Sequence, residues 1–112
     1  MMKPTTAVAR LAALAQESRL AVFRLLVQAG PEGVCVGAIG ARLKVAPATL
    51  SFHLKELTHA GLIKPRQESR FIYYAPDFKA MNELLSYLTE NCCGGRSCEA
   101  ESSISTVAPA ET

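Results

Sequence analysis

The stretch "PATLSFHLKELTHAG", residues 47–61, decides how this chain folds. On a helical wheel of about 100° per residue with Leu50 at zero, Leu54 and Leu57 fall within about 40° of it and form a buried edge. Ser51, Lys55, Ala48, His59 and Phe52 lie about 100° to 200° away, so the opposite face offers a hydroxyl, a cation, small groups and one aromatic ring. Pro47 sits where a helix can begin without losing a hydrogen bond, and Gly61 ends it, which predicts a helix over about Pro47 to Ala60. An exposed Phe in a helix needs something to meet. A thymine methyl or a deoxyribose in a major groove is one candidate, and a partner protein is another.

Within this helix the first turns matter most for base reading, because the N-terminal part of a recognition helix goes deepest into the groove. That favours Pro47, Ala48, Thr49, Ser51, Phe52 and Lys55 as DNA-facing, with ordinary helix-start chemistry as the other use of Thr49 and Ser51. His53, at about 300° on the wheel, stands on the shoulder of the buried edge and suits a structural hydrogen bond or a phosphate contact better than base readout.

The flanking sequence completes the frame. Downstream, "LIKPRQESRFIYYA" has two short β-prone runs around a polar centre, Gln67 to Ser69, which is a hairpin signal with a charged tip. Lys64, Arg66 and Arg70 surround that tip, and Arg66 and Arg70 fit phosphate or minor-groove contact. A last helix is expected from the N-cap Asp77 to about Asn91, with Phe78, Met81, Leu84, Leu85 and Leu88 on one stripe. Upstream, Val8, Leu11, Leu14 and Ala15 predict a first short helix. A dense apolar run predicts a second over about Ser18 to Ala29, started by Glu17 or Ser18 and ended by Gly30 and Pro31. Between them and the reading helix, "GVCVGAIGARL" is an extended lead-in followed by a helix carrying Ile39 and Leu43, with a break at Lys44 to Ala46. The class is therefore mainly α with a β-hairpin wing, a winged helix-turn-helix.

Length and charge bound the function. At 112 residues with 49% hydrophobic content, the chain has room for one domain and its core. Its net charge is +2, but the last fourteen residues hold Glu99, Glu101 and Glu111 and no Lys or Arg. Residues 1–98 thus carry 12 basic against 7 acidic residues, a net +5. A mildly basic body suits a polyanion without demanding one. Arg10, Glu17, Arg19 and Arg24 interrupt the N-terminal apolar region, which also lacks a signal-peptide layout, so a cytoplasmic protein away from membranes is expected. Residues 99–112 lack aromatics and periodicity and should be disordered. The domain reading is 1–92 for the winged helix-turn-helix, 92–98 for a cysteine-rich segment, and 99–112 for the tail.

That segment, "ENCCGGRSC" at residues 90–98, holds Cys92, Cys93 and Cys98. Thiolates select soft ions. Three without a nearby His, Asp or fourth Cys form an awkward set for structural zinc, which takes four ligands. Trivalent arsenic and antimony form three bonds and keep a lone pair, which three sulfurs complete. Neighbouring cysteines converge on one ion only where a helix is ending, and Gly94 and Gly95 permit the return that brings Cys98 back. Arg96 favours the thiolate form by its charge. A reversible thiol switch, cadmium or lead, and incidental reactive cysteines remain alternatives. Cys35 reads as packing.

Together "ALAQESRLAVFRLLV", "ARLKVAPATLSFHLKELTHAGLIKPRQESRFIYY" and the amphipathic helix after them resemble the ArsR/SmtB family of bacterial arsenic- and metal-sensing repressors, over about residues 6 to 92. Most specific are "TLSFHLKELTHAGLI" and the strand "FIYY". The resemblance implies a homodimeric repressor on a double-stranded, inverted-repeat operator that it leaves when an inducer binds. It also implies a dimer interface of the first and last helices, for which Val8, Leu11, Leu84, Leu85 and Leu88 supply apolar surface. The best-known arsenic site of the family, a Cys-Val-Cys run, is broken here as "CVG", with Cys35 first and Gly37 in place of the second cysteine. The Asp and His pairs of zinc-sensing members are absent from the last helix, which has Asp77 and Glu83 but no His. A second arsenic-responsive group carries a Cys-Cys pair at the end of the last helix and a further Cys shortly after, and Cys92, Cys93 and Cys98 match it.

The leading expectation is thus a repressor with no permanently bound cofactor, induced by As(III) or Sb(III). A metalloid-buffering protein is the reading from a different class. No Ser/His/Asp set or carboxylate pair suggests an enzyme, and His53 and His59 lie on different faces of one helix.

Overall fold

Caps and turns set the element boundaries, and the computed structural model describes residues 2–95. Helix α1 spans Pro4–Leu14, α2 Glu17–Ala29, α3 Val36–Leu43, α4 Pro47–His59 and α5 Phe78–Leu88. Strands β1 (Val34–Cys35), β2 (Ile63–Glu68) and β3 (Phe71–Pro76) form one antiparallel sheet in the order β1-β3-β2. The architecture is the expected winged helix-turn-helix. Residues 96–112, with Cys98 and the tail expected to be disordered, lie outside the described residues.

The turn before α4 is made by Lys44, which adopts the left-handed conformation at φ 56°. The end of α4 is closed by a Schellman motif: Leu62 N donates to Leu57 O at 3.1 Å and Gly61 N to Thr58 O at 2.9 Å. Gly61 supplies the φ of +79° that this geometry needs. Leu57 and Leu62, paired by the motif, are both fully buried. They join Val22, Phe23 and Leu26 of α2, Ile39 of α3, Leu50 and Leu54 of α4 and Ile63 of β2 in one core. Burying each large aliphatic side chain contributes roughly 1.5–3 kcal/mol.

Four boundaries differ from the sequence reading. Helix α1 begins at Pro4, four residues before Val8, because Pro at the first turn costs no hydrogen bond, while Thr5 and Thr6 conceal the apolar period there. The N-cap of α2 is Gln16, whose side chain accepts from Arg19 N at 2.9 Å. Helix α5 stops at Leu88 rather than about Asn91: Thr89 turns its hydroxyl back onto Leu85 O at 3.0 Å, and Asn91 is left-handed at φ 57°. The hairpin turns at Ser69 and Arg70, with Glu68 paired to Phe71 and Ser69 at φ 62°, so β2 runs through the expected polar tip.

Strand β1 makes the wing a three-stranded sheet, with Val34 opposite Tyr74 and Cys35 opposite Tyr73. Two residues are too few to show a period of two. Gly33 admits this pairing, since a Cβ there would stand 2.8 Å from Tyr74 O. Helix α5 begins beside the end of α4: Asp77 N donates to Leu62 O at 2.8 Å, and the Asp77 carboxylate caps Ala80 N at 3.0 Å. Of the expected apolar stripe on α5 only Leu84 is buried, and Leu85 and Leu88 are exposed along with Val8, Leu11 and Leu20. None of the described helices is long and apolar enough to cross a membrane.

Candidate nucleic-acid interface and thiol segment

Helix α4 buries Leu50, His53, Leu54 and Leu57 and exposes Pro47, Ala48, Thr49, Ser51, Phe52 and Lys55. The N-cap is Ala46, with no side-chain hydrogen bond, so neither Thr49 nor Ser51 is consumed in starting the helix. Phe52 is 54% exposed. His53, which the wheel sets on the shoulder of the buried edge, lies inward. It is only 7% exposed, and its Nδ1 is buried without a hydrogen-bond partner among the described residues. The helical period explains this, because position 53 adjoins Leu50, Leu54 and Leu57 on the inner face. Its ring instead lies 5.9 Å from that of Phe52, tilted by 59°.

The wing cations are not equivalent. Arg66 donates from Nη1 to Glu32 O at 3.1 Å, pairs with Glu68 at 3.7 Å and lies 5.0 Å from the centre of the Tyr73 ring. Those contacts brace β2 against the loop before β1, so Arg66 is partly committed within the chain. Arg70, at the turn, and Lys55 on α4 are exposed and make no ion pair among the described residues.

Between α4 and β3 runs an open cleft of about 460 Å³ lined by Ser51, Lys55, Thr58, His59 and Tyr74. Thr58 donates its hydroxyl to Leu54 O at 2.7 Å, which leaves that oxygen only as an acceptor. Sequence reasoning passed over Tyr74 as a lining residue. The alternation in "FIYYAP" carried the signal, since it sets Ile72, Tyr74 and buried Pro76 on one face of the strand.

The thiol segment follows α5. Cys92–Gly95 forms a single 3-10 turn in which Cys93 (φ 56°) and Gly94 (φ 65°) are left-handed. This brings Cys92 Sγ and Cys93 Sγ to 3.7 Å, both on exposed residues. The pair converges just past the helix end, not within it. Cys35 is half-buried at the N-cap of α3 and makes no capping bond with its side chain. Among the described residues no three His, Cys, Asp or Glu side chains gather as a metal site.

A family profile described as a helix-turn-helix domain matches residues 14–66. The chain is 36% identical to the arsenical resistance operon repressor of Bacillus subtilis, over 72% of this chain and 73% of that protein. The chain belongs to the ArsR/SmtB family of winged helix-turn-helix transcriptional regulators. It is also similar to the uncharacterised HTH-type regulator YceK of B. subtilis, 43% identical over 54% of this chain, a match that spans 60% of YceK. The solved structure of HlyU from Vibrio cholerae superposes with a TM-score of 0.62 at 34% identity, covering 78% of this chain and 97% of that one. HlyU has also been solved in a form described as reduced. In this family setting, α3 and α4 are the helix-turn-helix and β2 and β3 the wing.

Proposed function

We propose that this regulator is a cytoplasmic homodimeric repressor of an arsenic-resistance operon. It sits on an inverted-repeat operator and leaves when As(III) or Sb(III) binds Cys92, Cys93 and Cys98. The observation that carries the reading is the 3.7 Å separation of Cys92 Sγ and Cys93 Sγ at the end of α5. Two thiolates sharing an ion through bonds of roughly 2.3 Å stand about 3.3 to 3.8 Å apart for angles between about 90° and 109°. The pair fits that requirement without rearrangement, and Gly94 and Gly95 permit the return toward Cys98. The similarity to an arsenical resistance repressor supports the same inducer.

Mechanically, α5 extends about 16 Å from Asp77 to Leu88, at a rise of 1.5 Å per residue over its eleven residues, and the thiols follow four residues beyond its end. Its other end is bonded to Leu62 beside the close of α4. The exposed apolar residues of α1 and α5 suit a second copy of the chain. A ligand that reorders the end of α5 therefore acts on both the dimer layer and the reading helices. Differential affinity of about 1 to 3 kcal/mol for the two arrangements gives about 5- to 150-fold derepression.

The test is operator binding with and without arsenite by the wild type and by a variant with Cys92, Cys93 and Cys98 all changed to Ser. The variant should bind operator as the wild type does and ignore arsenite. A variant that still releases DNA refutes the reading.

One observation favours a second reading. Two exposed sulfurs already in contact suit a thiol switch, in which peroxide takes two electrons and two protons from the pair to give a disulfide and water. The existence of a reduced form of HlyU points the same way. Mass spectrometry after arsenite or peroxide treatment separates an added arsenic atom from the loss of two hydrogens.

A further inference from the structure

Arg10 on α1 is the side chain that grips the end of the reading helix. Its Nε donates to Ala60 O at 3.3 Å, and Ala60 is the C-cap of α4. Its Nη1 donates to Ala80 O in the first turn of α5 at 3.2 Å and lies 3.6 Å from Glu83 Oε1. The Arg10 side chain is 14% exposed against 49% for Glu83, so the guanidinium is held inside the junction of three helices. A cation at the carbonyl end of α4 is also favoured by the helix dipole.

No other residue type does this equally. Guanidinium is a rigid planar fork whose donors can reach carbonyls in two directions at once, whereas an ammonium is a compact point on a flexible stem. Ala60 and Ala80 belong to the two helices whose relative angle sets where α4 points. Gly61 adjoins the same contact, since a Cβ there would stand 3.6 Å from Arg10 Nη2.

A groove along α1 and α5 runs from Arg10 past Glu83 and Tyr87 to Glu90, two residues before Cys92. This groove joins the segment just past the end of α5 to the surroundings of Arg10 and Glu83.

We propose that Arg10 is the positioning residue that locks α4 at its DNA-binding angle against the α1/α5 layer, and that inducer binding at the end of α5 works by loosening this grip. The second half rests on the thiol reading above. Removing the grip lowers the operator affinity of the inducer-free protein and leaves that of the inducer-bound protein, already loosened, unchanged. The loosened protein already populates the arrangement the inducer prefers, so the inducer itself binds more tightly, although Arg10 touches no thiol.

Arg10→Gln is measured three ways. Inducer-free operator affinity should fall by about tenfold, arsenite-bound affinity should stay within about twofold, and arsenite affinity without DNA should rise by about tenfold. Operators with half-sites moved apart by one base pair should lose less affinity with the variant than with the wild type, because its reading helices are no longer held at one angle. Should Arg10→Gln fail to fold, Glu83→Gln removes only the ion pair and should give the same signs at about 1.5- to 5-fold. Equal losses with and without arsenite, or an unchanged arsenite affinity, overturn the coupling. A wild-type spacing penalty in the variant overturns the lock itself. Failure of the wild type to release DNA with arsenite refutes the thiol reading and the coupling with it, while the spacing measurement still decides the lock.

Discussion

Replacing Phe52 by Ala isolates what the outer face of α4 gains from DNA. A Phe side chain offers roughly 200 Å², and Phe52 leaves 54% of its surface in solvent. About 110 Å² is therefore available, worth about 2.7 kcal/mol at 25 cal/mol per Å² if DNA covers all of it and about 1.4 kcal/mol if it covers half. The expected loss of operator affinity is about 10- to 90-fold, since each 1.4 kcal/mol is a factor of ten. The side chain is outside the core, so the melting temperature should move by no more than a few degrees. Phe52 carries no charge, so the slope of log affinity against log salt should not change, because that slope counts neutralised phosphates. Fluorescence anisotropy with a labelled operator, titrated over several salt concentrations, measures both. Unchanged specific affinity at unchanged slope shows that Phe52 does not meet the groove, and a changed slope shows that the variant has shifted the whole docking pose.

The charged residues should separate by slope. Lys55→Gln and Arg70→Gln should each flatten the salt dependence by about 0.9, whereas Arg66→Gln should flatten it less and destabilise the wing, because Arg66 is already engaged with Glu32, Glu68 and Tyr73. Cys35→Ser should leave arsenite release intact in the operator-shift assay, and loss of release would move the inducer site to the start of α3. Leu57→Ala, in the closed end of α4 where the side chain is fully buried, should cost about 2–5 kcal/mol in urea unfolding. Gly33→Ala should loosen β1 from β3, seen as faster amide exchange, because the new Cβ would meet Tyr74 O at 2.8 Å.

Where the fold was legible, the signal was local. The α4 wheel needed only the spacing of Leu50, Leu54 and Leu57, and the same wheel set His53 on the buried shoulder, where it now lies at 7% exposure. How deeply a shoulder position is buried is decided by the packing of neighbouring helices, which a wheel does not contain. The same limit applies to β1, whose extended course the sequence shows and whose pairing it does not. Val34 and Cys35 become a strand only through Tyr73 and Tyr74, about forty residues later, and no property of a dipeptide announces that pairing. The sequence reading carries α5 on to about Asn91 because the breakers it shows, Gly94 and Gly95, come later, whereas the left-handed Asn91 ends the helical path before them.

The cations show how far this division reaches into function. Arg10, Arg66 and Arg70 look alike in the sequence, each a basic residue in a polar or amphipathic stretch. Arg10 is bound to carbonyls 50 and 70 residues away, and Arg66 to one 34 residues away. Residue type and spacing give the charge, but only non-local contacts say whether that charge is still available to a phosphate. Among the DNA-facing cations of the sequence reading, Lys55 and Arg70 make no ion pair among the described residues, while Arg66 is partly engaged within the wing. The electrostatic share of operator binding should therefore be smaller than the +5 of residues 1–98 suggests, and the small, apolar and hydroxyl groups of α4 should carry correspondingly more of the discrimination between sequences.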